Sequence, residues 1–322
     1  MNRPFYILSI DGGGFRGLFA AHLLKRIEEE WNFDWRDRLG LFAGTSTGAI
    51  LAAGLACGLS AKRLAQLYST LGQSVFSRRF RSRLDILKLC TSKYSSARLG
   101  RELERVFGEV TLGEVEVPLI LPSVDIGNGV VHVLKSRYHD GFIRDPDVRV
   151  SDAVLASSSA PTYFDPHVLE GTYQLVDGGL WANNPSLVAV IDAQYRLGVD
   201  LADVRVLSIG TGKGKALYPQ GGGGLATRVA RRLSGWGLAT RWQRSRLIDL
   251  IFNLQSDTAH NMLCLLFGEN PNDPRRVLRL TFESDRPLPL DTVSSGPDWI
   301  ARADHTFTHE ATRIERFLSL ED

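Results

Sequence analysis

Leu39-Gly40-Leu41-Phe42-Ala43-Gly44-Thr45-Ser46-Thr47-Gly48-Ala49-Ile50-Leu51-Ala52-Ala53-Gly54-Leu55-Ala56-Cys57 passes from a short apolar run, through a glycine-flanked serine, into a segment of small and aliphatic residues. Leu39 to Ala43 has the length of a buried strand. Ala49 to Cys57 reads as a helix whose small side chains let it pack tightly on a sheet. The turn between them matches Gly-x-Ser-x-Gly, and a strand before it with a helix after it is the setting of a nucleophile elbow. Gly44 and Gly48 are required there because a side chain at either position collides with the neighbouring strand or helix. Ser46 then projects above the sheet edge, with a helix N-terminus lending positive potential to developing oxyanion charge. Taken alone, the pentapeptide reads equally well as a Gly/Ser/Thr-rich helix cap.

Outward from this point, β-rich runs alternate with helical patterns, the sign of a parallel sheet covered by helices. Phe5 to Ile10 is the expected first strand. Leu18 to Trp31 follows as a helix with Leu18, Ala21, Leu24 and Ile27 on one face and Glu28 to Glu30 at its solvated end. Val117 to Ile126 and Val130 to Leu134 are expected to pair around Gly127-Asn128-Gly129. Val204 to Ile209 is a further strand, ending in Gly210-Thr211-Gly212. Two basic stretches break the rhythm. Ser77 to Arg101 carries Arg78, Arg79, Arg81, Arg83, Lys88, Lys93 and Arg98 and is expected to be a surface insertion. Gly221 to Gly224 marks an internal boundary, beyond which Arg228, Arg231, Arg232, Arg241, Arg244 and Arg246 precede the next acidic residue, Asp249. Residues 1–212 are the expected catalytic core, and 213–322 a helical, Arg-rich part completing the same domain.

The bulk composition fits this picture and excludes others. With 322 residues, 43% of them hydrophobic and 23% charged, the chain buries a sizeable core. A net charge of +2 gives no reason to expect DNA or RNA as a partner. Cys57, Cys90 and Cys264 form no Cys-x-x-Cys pair, so neither a disulfide framework nor a zinc site is expected, and a reducing cytoplasm fits. Phe5 to Ile10 is too short for a signal-peptide core, and the longest apolar run, Ala49 to Leu59, falls short of the roughly 20 residues that span a bilayer.

Two further motifs carry chemistry. Asp11-Gly12-Gly13-Gly14-Phe15-Arg16-Gly17 follows the first strand and opens a helix, and its consecutive glycines free N–H groups to face a negative charge. The same residues satisfy Gly-x-Gly-x-x-Gly. A dinucleotide site, however, calls for an acidic residue ending the next strand, whereas Asp34 and Asp37 sit in a charged, aromatic helix exit. No Gly-Lys-Ser/Thr of a P-loop is present, since Gly212-Lys213-Gly214 lacks the hydroxyl. Asp177-Gly178-Gly179 follows the short run Tyr173 to Val176, and a carboxylate at a strand end beside two glycines approaches a nucleophile without a steric screen. A hairpin turn or cap is the bland reading.

Taken together these stretches resemble the patatin family of lipid acyl hydrolases. The resemblance includes Asp11 to Gly17, Gly44 to Gly48, Ala156 to Tyr163, Asp177-Gly178-Gly179 and Leu207 to Gly212, in that order, with a looser match at Leu290-Asp291. It implies a three-layer α/β/α fold with a mostly parallel central sheet and a Ser46–Asp177 dyad that works without histidine. It also implies an oxyanion hole from Gly12, Gly13 and Gly14 with Arg16 nearby, and no metal or organic cofactor. Membrane phospholipids or lysophospholipids are the implied substrates, met at the inner membrane surface. Some bacterial patatins of this layout are antiphage effectors activated by cyclic di- or oligonucleotides, and the resemblance permits such an activator here, with the arginines from Arg228 to Arg246 as phosphate ligands. An oligomer is compatible with all of this. Three alternatives stay open: a Ser-His-Asp triad using His260, His305 or His309; a non-catalytic binding protein; and constitutive activity, with the arginines holding headgroups. His305 and His309, four apart on an expected helix without a third ligand, read as solvated surface. Phe15, Phe76, Phe80 and Leu84 read as core, or as lipid-facing contacts near the site mouth.

Overall fold

The computed structural model describes residues 4–75, 92–215 and 244–320. Its centre is β1 (Phe5–Ile10), which pairs in parallel with β2 (Leu41–Gly44) on one side and β7 (Val204–Ile209) on the other. β9 (Val277–Leu280) extends the parallel sheet beyond β7. On the β2 side, β3 (Leu119–Asp125) continues it, with β4 (Val130–Lys135) antiparallel along its far edge as the hairpin reading expected. The remaining strands are β5 (His167–Leu169), β6 (Tyr173–Asp177) and a two-residue pair, β8 (Lys213–Gly214) with β10 (Glu283–Ser284).

Strands covered on both faces read as continuous apolar runs, and β1 does so because its neighbours in sequence face different layers. Ile7, with Leu41, Ala43, Ile120 and Val206, packs against Ala189, Val190 and Ala193 of α8 (Ser186–Arg196) and Leu263 of α9 (Arg244–Leu266). Leu8, Ile10 and Phe42 face the other way, into the larger core built on α1 (Gly17–Trp31), α3 (Thr47–Ala56), α4 (Ala61–Ser74), α5 (Ser96–Phe107), α6 (Val150–Ser158) and α10 (Gly296–Leu318). The result is a three-layer α/β/α sandwich with a mostly parallel sheet. Two short helices, α2 (Trp35–Arg38) and α7 (Gly179–Ala182), complete the set among the described residues.

α3 has no polar face: all ten of its residues are buried. Its small side chains are what allow this. A Cβ on Gly44 would lie 2.1 Å from Gly48 O, and one on Gly48 would lie 2.2 Å from Ile10 O, so the turn between β2 and α3 closes only on glycine. The basic stretch Ser77 to Arg101 departs from expectation where it is described. Residues 96–101 are the first turns of α5, which buries Leu99, Leu103 and Phe107 and packs on α6, because its arginines occupy only the outer face. Residues 77–91, and with them Phe80 and Leu84, lie outside the described residues, as do Phe76, Gly221 to Gly224 and Arg228 to Arg241.

β3 has two partners along one edge. Its start pairs in parallel with β2, through Phe42↔Leu119 and Ala43↔Ile120, and its end pairs antiparallel with β6, through Ser123↔Asp177. β2 and β6 therefore run toward each other along β3, and their C-terminal ends meet. Ser46 follows one end and Asp177 is the other.

Candidate active site

Ser46 has φ 57° and ψ −122°, a left-handed-side backbone that a non-glycine residue holds only under constraint. The constraint comes from α6. The Ser46 N–H donates to Ser157 Oγ at 3.1 Å, Ser157 Oγ in turn donates to Pro122 O, and Ser158 Oγ donates to Ser46 O at 3.0 Å. Both peptide groups of the strained residue are thus tied to the strand–helix framework. Ser46 is 6% exposed and opens onto a cavity of about 40 Å³ lined by Ile50, Tyr68, Leu71, Leu99 and Phe164.

Asp177 is fully buried at the end of β6. Its Oδ1 accepts the Gly179 N–H at 2.7 Å, while Oδ2 closes no hydrogen bond of ordinary length and angle among the described residues. Burial drives the carboxyl pKa upward, to about 7, although the Ser46 hydroxyl and the Gly179 N–H both favour the anion. The hydroxyl is thus near enough to favour the anion without completing a well-formed bond. A Cβ on Gly178 would lie 2.2 Å from Pro122 O, which is why the residue after Asp177 has no side chain.

The glycine loop closes the third side. Gly12 packs against the serine: a Cβ there would sit 3.2 Å from Ser46 Cβ. Its N–H, however, donates to Asn183 O at 3.0 Å, so it is not available to an oxyanion. Arg16 is also engaged elsewhere. Its buried guanidinium donates to Gly13 O at 3.2 Å and Leu288 O at 3.0 Å, bracing the loop from behind. The N–H groups of Gly13, Gly14 and Thr47 make no hydrogen bond among the described residues, and Gly14 and Thr47 line the same cavity as Ser46. Free donors at Gly14 and Thr47 beside a strained serine, with that of Gly13 next to them in the loop, suit a developing negative charge.

Sequence reasoning missed the residues that hold this arrangement. Asp11 forms a two-bond ion pair with Arg279 of β9 and accepts from Ser256 of α9. Asn183 Nδ2 donates to Ser256 Oγ at 2.9 Å and lies 3.4 Å from Gly12 O, and Thr211 Oγ1 donates to Gly12 O at 2.7 Å. The stretches holding Asp11, Ser157 and Thr211 carried a signal, through the family resemblance, whereas Asn183, Ser256 and Arg279 carried none. Asp249, buried beside Arg16, has its carboxyl pushed up to about 6 by burial, with Arg16 opposing and Asp291 adding to the rise.

The histidines lie elsewhere. His260 Nε2 is 3.3 Å from Pro271 O and bonds neither Ser46 nor Asp177, while His305 and His309 are exposed on α10 with ring centroids 4.1 Å apart. Among the described residues no group of three His, Cys, Asp or Glu side chains is arranged to hold a metal, and no helix is long and apolar enough to cross a membrane. A cavity of about 800 Å³ lies remote from Ser46, at the N-terminal ends of β2 and β3. Three of its acidic groups are engaged: Glu28 accepts from Trp35 Nε1 and the Ala61 N–H, Asp34 caps α2 by accepting the Arg36 and Asp37 N–H groups, and Glu116 pairs with Arg36.

The family model described as patatin-like phospholipase matches residues 8–190. A cGAMP-activated phospholipase of Escherichia coli is 35% identical over 66% of this chain and 64% of that relative. One of Vibrio cholerae is 33% identical over 73% of this chain and 71% of its own length. A cUMP-AMP-activated phospholipase of Escherichia coli is 29% identical over 87% and 82%. Among solved structures, VipD from Legionella pneumophila aligns at a TM-score of 0.49 and 14% identity, covering 95% of this chain and 66% of that one.

Proposed function

Because the chain belongs to the patatin-like phospholipase family, we propose that it hydrolyses the acyl esters of phospholipids or lysophospholipids through a Ser46–Asp177 dyad. The observation that carries this reading is the strained Ser46 beside a buried carboxyl whose pKa is raised to about 7. A carboxylate of that basicity accepts a serine proton far more readily than one at the ordinary value.

Ser46 Oγ attacks the acyl carbon while its proton passes to Asp177 Oδ2. The carbonyl π pair moves onto oxygen, where the N–H groups of Gly13, Gly14 and Thr47 receive it. Collapse re-forms the carbonyl and expels the glycerol oxygen, which takes the proton from Asp177. Water then repeats the sequence on the acyl-serine, with Asp177 as base, releasing the fatty acid and restoring Ser46. The apolar cavity beside Ser46 receives the first carbons of the acyl chain. Gly44 and Gly48 hold the elbow, and Gly12 gives the serine room.

Residues 1–212 supply these groups, while Arg279, Ser256 and Leu290 from 213–322 brace them, which supports reading the two parts as one domain. The nucleotides that activate its relatives support a cyclic di- or oligonucleotide as the partner that switches the enzyme on, so that it attacks the inner membrane surface from the cytoplasm only when activated. Mass spectrometry of lipids incubated with purified protein tests the chemistry. Wild type is expected to release free fatty acid, and Ser46→Ala to fall to the blank with its folding intact. Wild-type turnover in Ser46→Ala would end the proposal.

A further inference from the structure

We infer that Thr211 is a positioning residue for the oxyanion hole, acting through the peptide that joins Gly12 to Gly13; this rests on the dyad reading above. The peptide is trans, as every described peptide bond is, so its C=O and N–H point in opposite directions. Thr211 Oγ1 donates to Gly12 O at 2.7 Å, and Asn183 Nδ2 approaches the same oxygen at 3.4 Å. The carbonyl is therefore held on the side of the loop that faces β7 and α7. That fixes the rotation of the peptide and turns the Gly13 N–H to the other side, where it has no partner among the described residues. Gly12 touches Ser46 on its own flank, and Gly14, the next residue, lines the cavity with Ser46.

A loop of three glycines has no side chains with which to hold its own peptides, and glycine rotates more freely than any other residue. Such a loop aims its N–H groups only if something outside it supplies the torque. Thr211 does so at very close range. A Cβ on Gly13 would come within 2.0 Å of Thr211 Oγ1 and 2.5 Å of its Cβ, so Gly13 packs on Thr211 too closely to carry a side chain. Thr211 is 3% exposed, lies two residues beyond β7 and bonds Gly12 O rather than either member of the dyad, so its contribution is the orientation of a donor. An interaction of this kind is felt when the oxyanion forms and leaves substrate binding alone.

The test is steady-state hydrolysis by Thr211→Val, which keeps the shape and removes the donor, with Thr211→Ser as the conservative variant and Ser46→Ala as control. All are assayed on the same phospholipid vesicles, under the nucleotide condition that gives the wild type its highest turnover. Thr211→Val is expected to lose about ten- to a hundredfold in kcat, below the full loss of one oxyanion donor, with KM within about twofold and an unchanged melting temperature. Thr211→Ser is expected to recover most of the rate. Should Thr211→Val not fold, Thr211→Ala carries the same comparison against Thr211→Ser. The inference is overturned if the Thr211→Val rate is that of the wild type, if its loss lies in KM, or if Thr211→Ser is as slow as Thr211→Val. Ser46→Ala separates the two levels: if it is inactive while Thr211→Val is normal, this inference alone fails, whereas an active Ser46→Ala removes the dyad itself.

Discussion

At the scale of single residues, the consequences follow from a carboxyl moved out of its usual range. Asp177 has a folded pKa of about 7 against an ordinary 3.8, because burial penalises its charged form. Turnover is expected to rise with pH through an apparent pKa near that value, reaching a plateau once the carboxylate is ionised. A rate flat from pH 5 to 9 would contradict it. Stability runs the other way. Between the two pKa values the folded state binds a proton that the unfolded state has lost, so the wild type loses stability as pH rises from about 4 to 7, by on the order of 4 kcal/mol. Asp177→Asn has no such proton to lose. It is expected to be inactive, to melt higher than the wild type at pH 8 and to melt about equally near pH 4, which thermal denaturation at the two pH values checks. Ser46, Asp177 and their flanking glycines were legible in the sequence because local geometry dictates their neighbours. Thr211, Asn183 and Ser157 were not, since each acts by bonding a backbone atom more than a hundred residues away.

At the scale of elements, the alternation of apolar runs located β1, α1, β2, α3, β3, β4 and β7 to within a few residues, because each buries a continuous face. What it missed is pairing at long range. β9 enters the sheet beside β7 late in the chain, and the reason is partly electrostatic: Arg279 delivers two hydrogen bonds to Asp11 at the far side of β7, and one to Ser208. With side chains 15% and 4% exposed, this pair is buried, and removing one member strands the other. Arg279→Met is expected to cost about 3–5 kcal/mol in chemical denaturation, with part of it recovered by adding Asp11→Asn. A loss below about 0.5 kcal/mol, the range of an ordinary surface change, would deny the pair its structural role. The antiparallel run of β6 toward β2 was equally hidden, although it alone explains how Asp177 reaches Ser46.

At the scale of the whole molecule, the proposed nucleotide control starts from relatives that are cGAMP- and cUMP-AMP-activated phospholipases. α1 leaves the glycine loop at Gly17 and packs along both α4 and α10, so a shift of the outer helices has a direct path to the oxyanion donors. Purified protein is expected to hydrolyse vesicles at least tenfold faster with one member of a panel including cGAMP and cUMP-AMP. Full activity without ligand, unchanged by every member, would leave an ungated hydrolase. Beneath control lies the central claim, that Asp177 makes Ser46 a nucleophile. The direct measurement is the rate at which a fluorophosphonate modifies the protein, with the adduct located by peptide mass spectrometry. The expected result is a single adduct on Ser46 that forms faster as pH rises through about 7 and almost not at all in Asp177→Asn. An adduct on a different serine, or equal rates in wild type and Asp177→Asn, would contradict it.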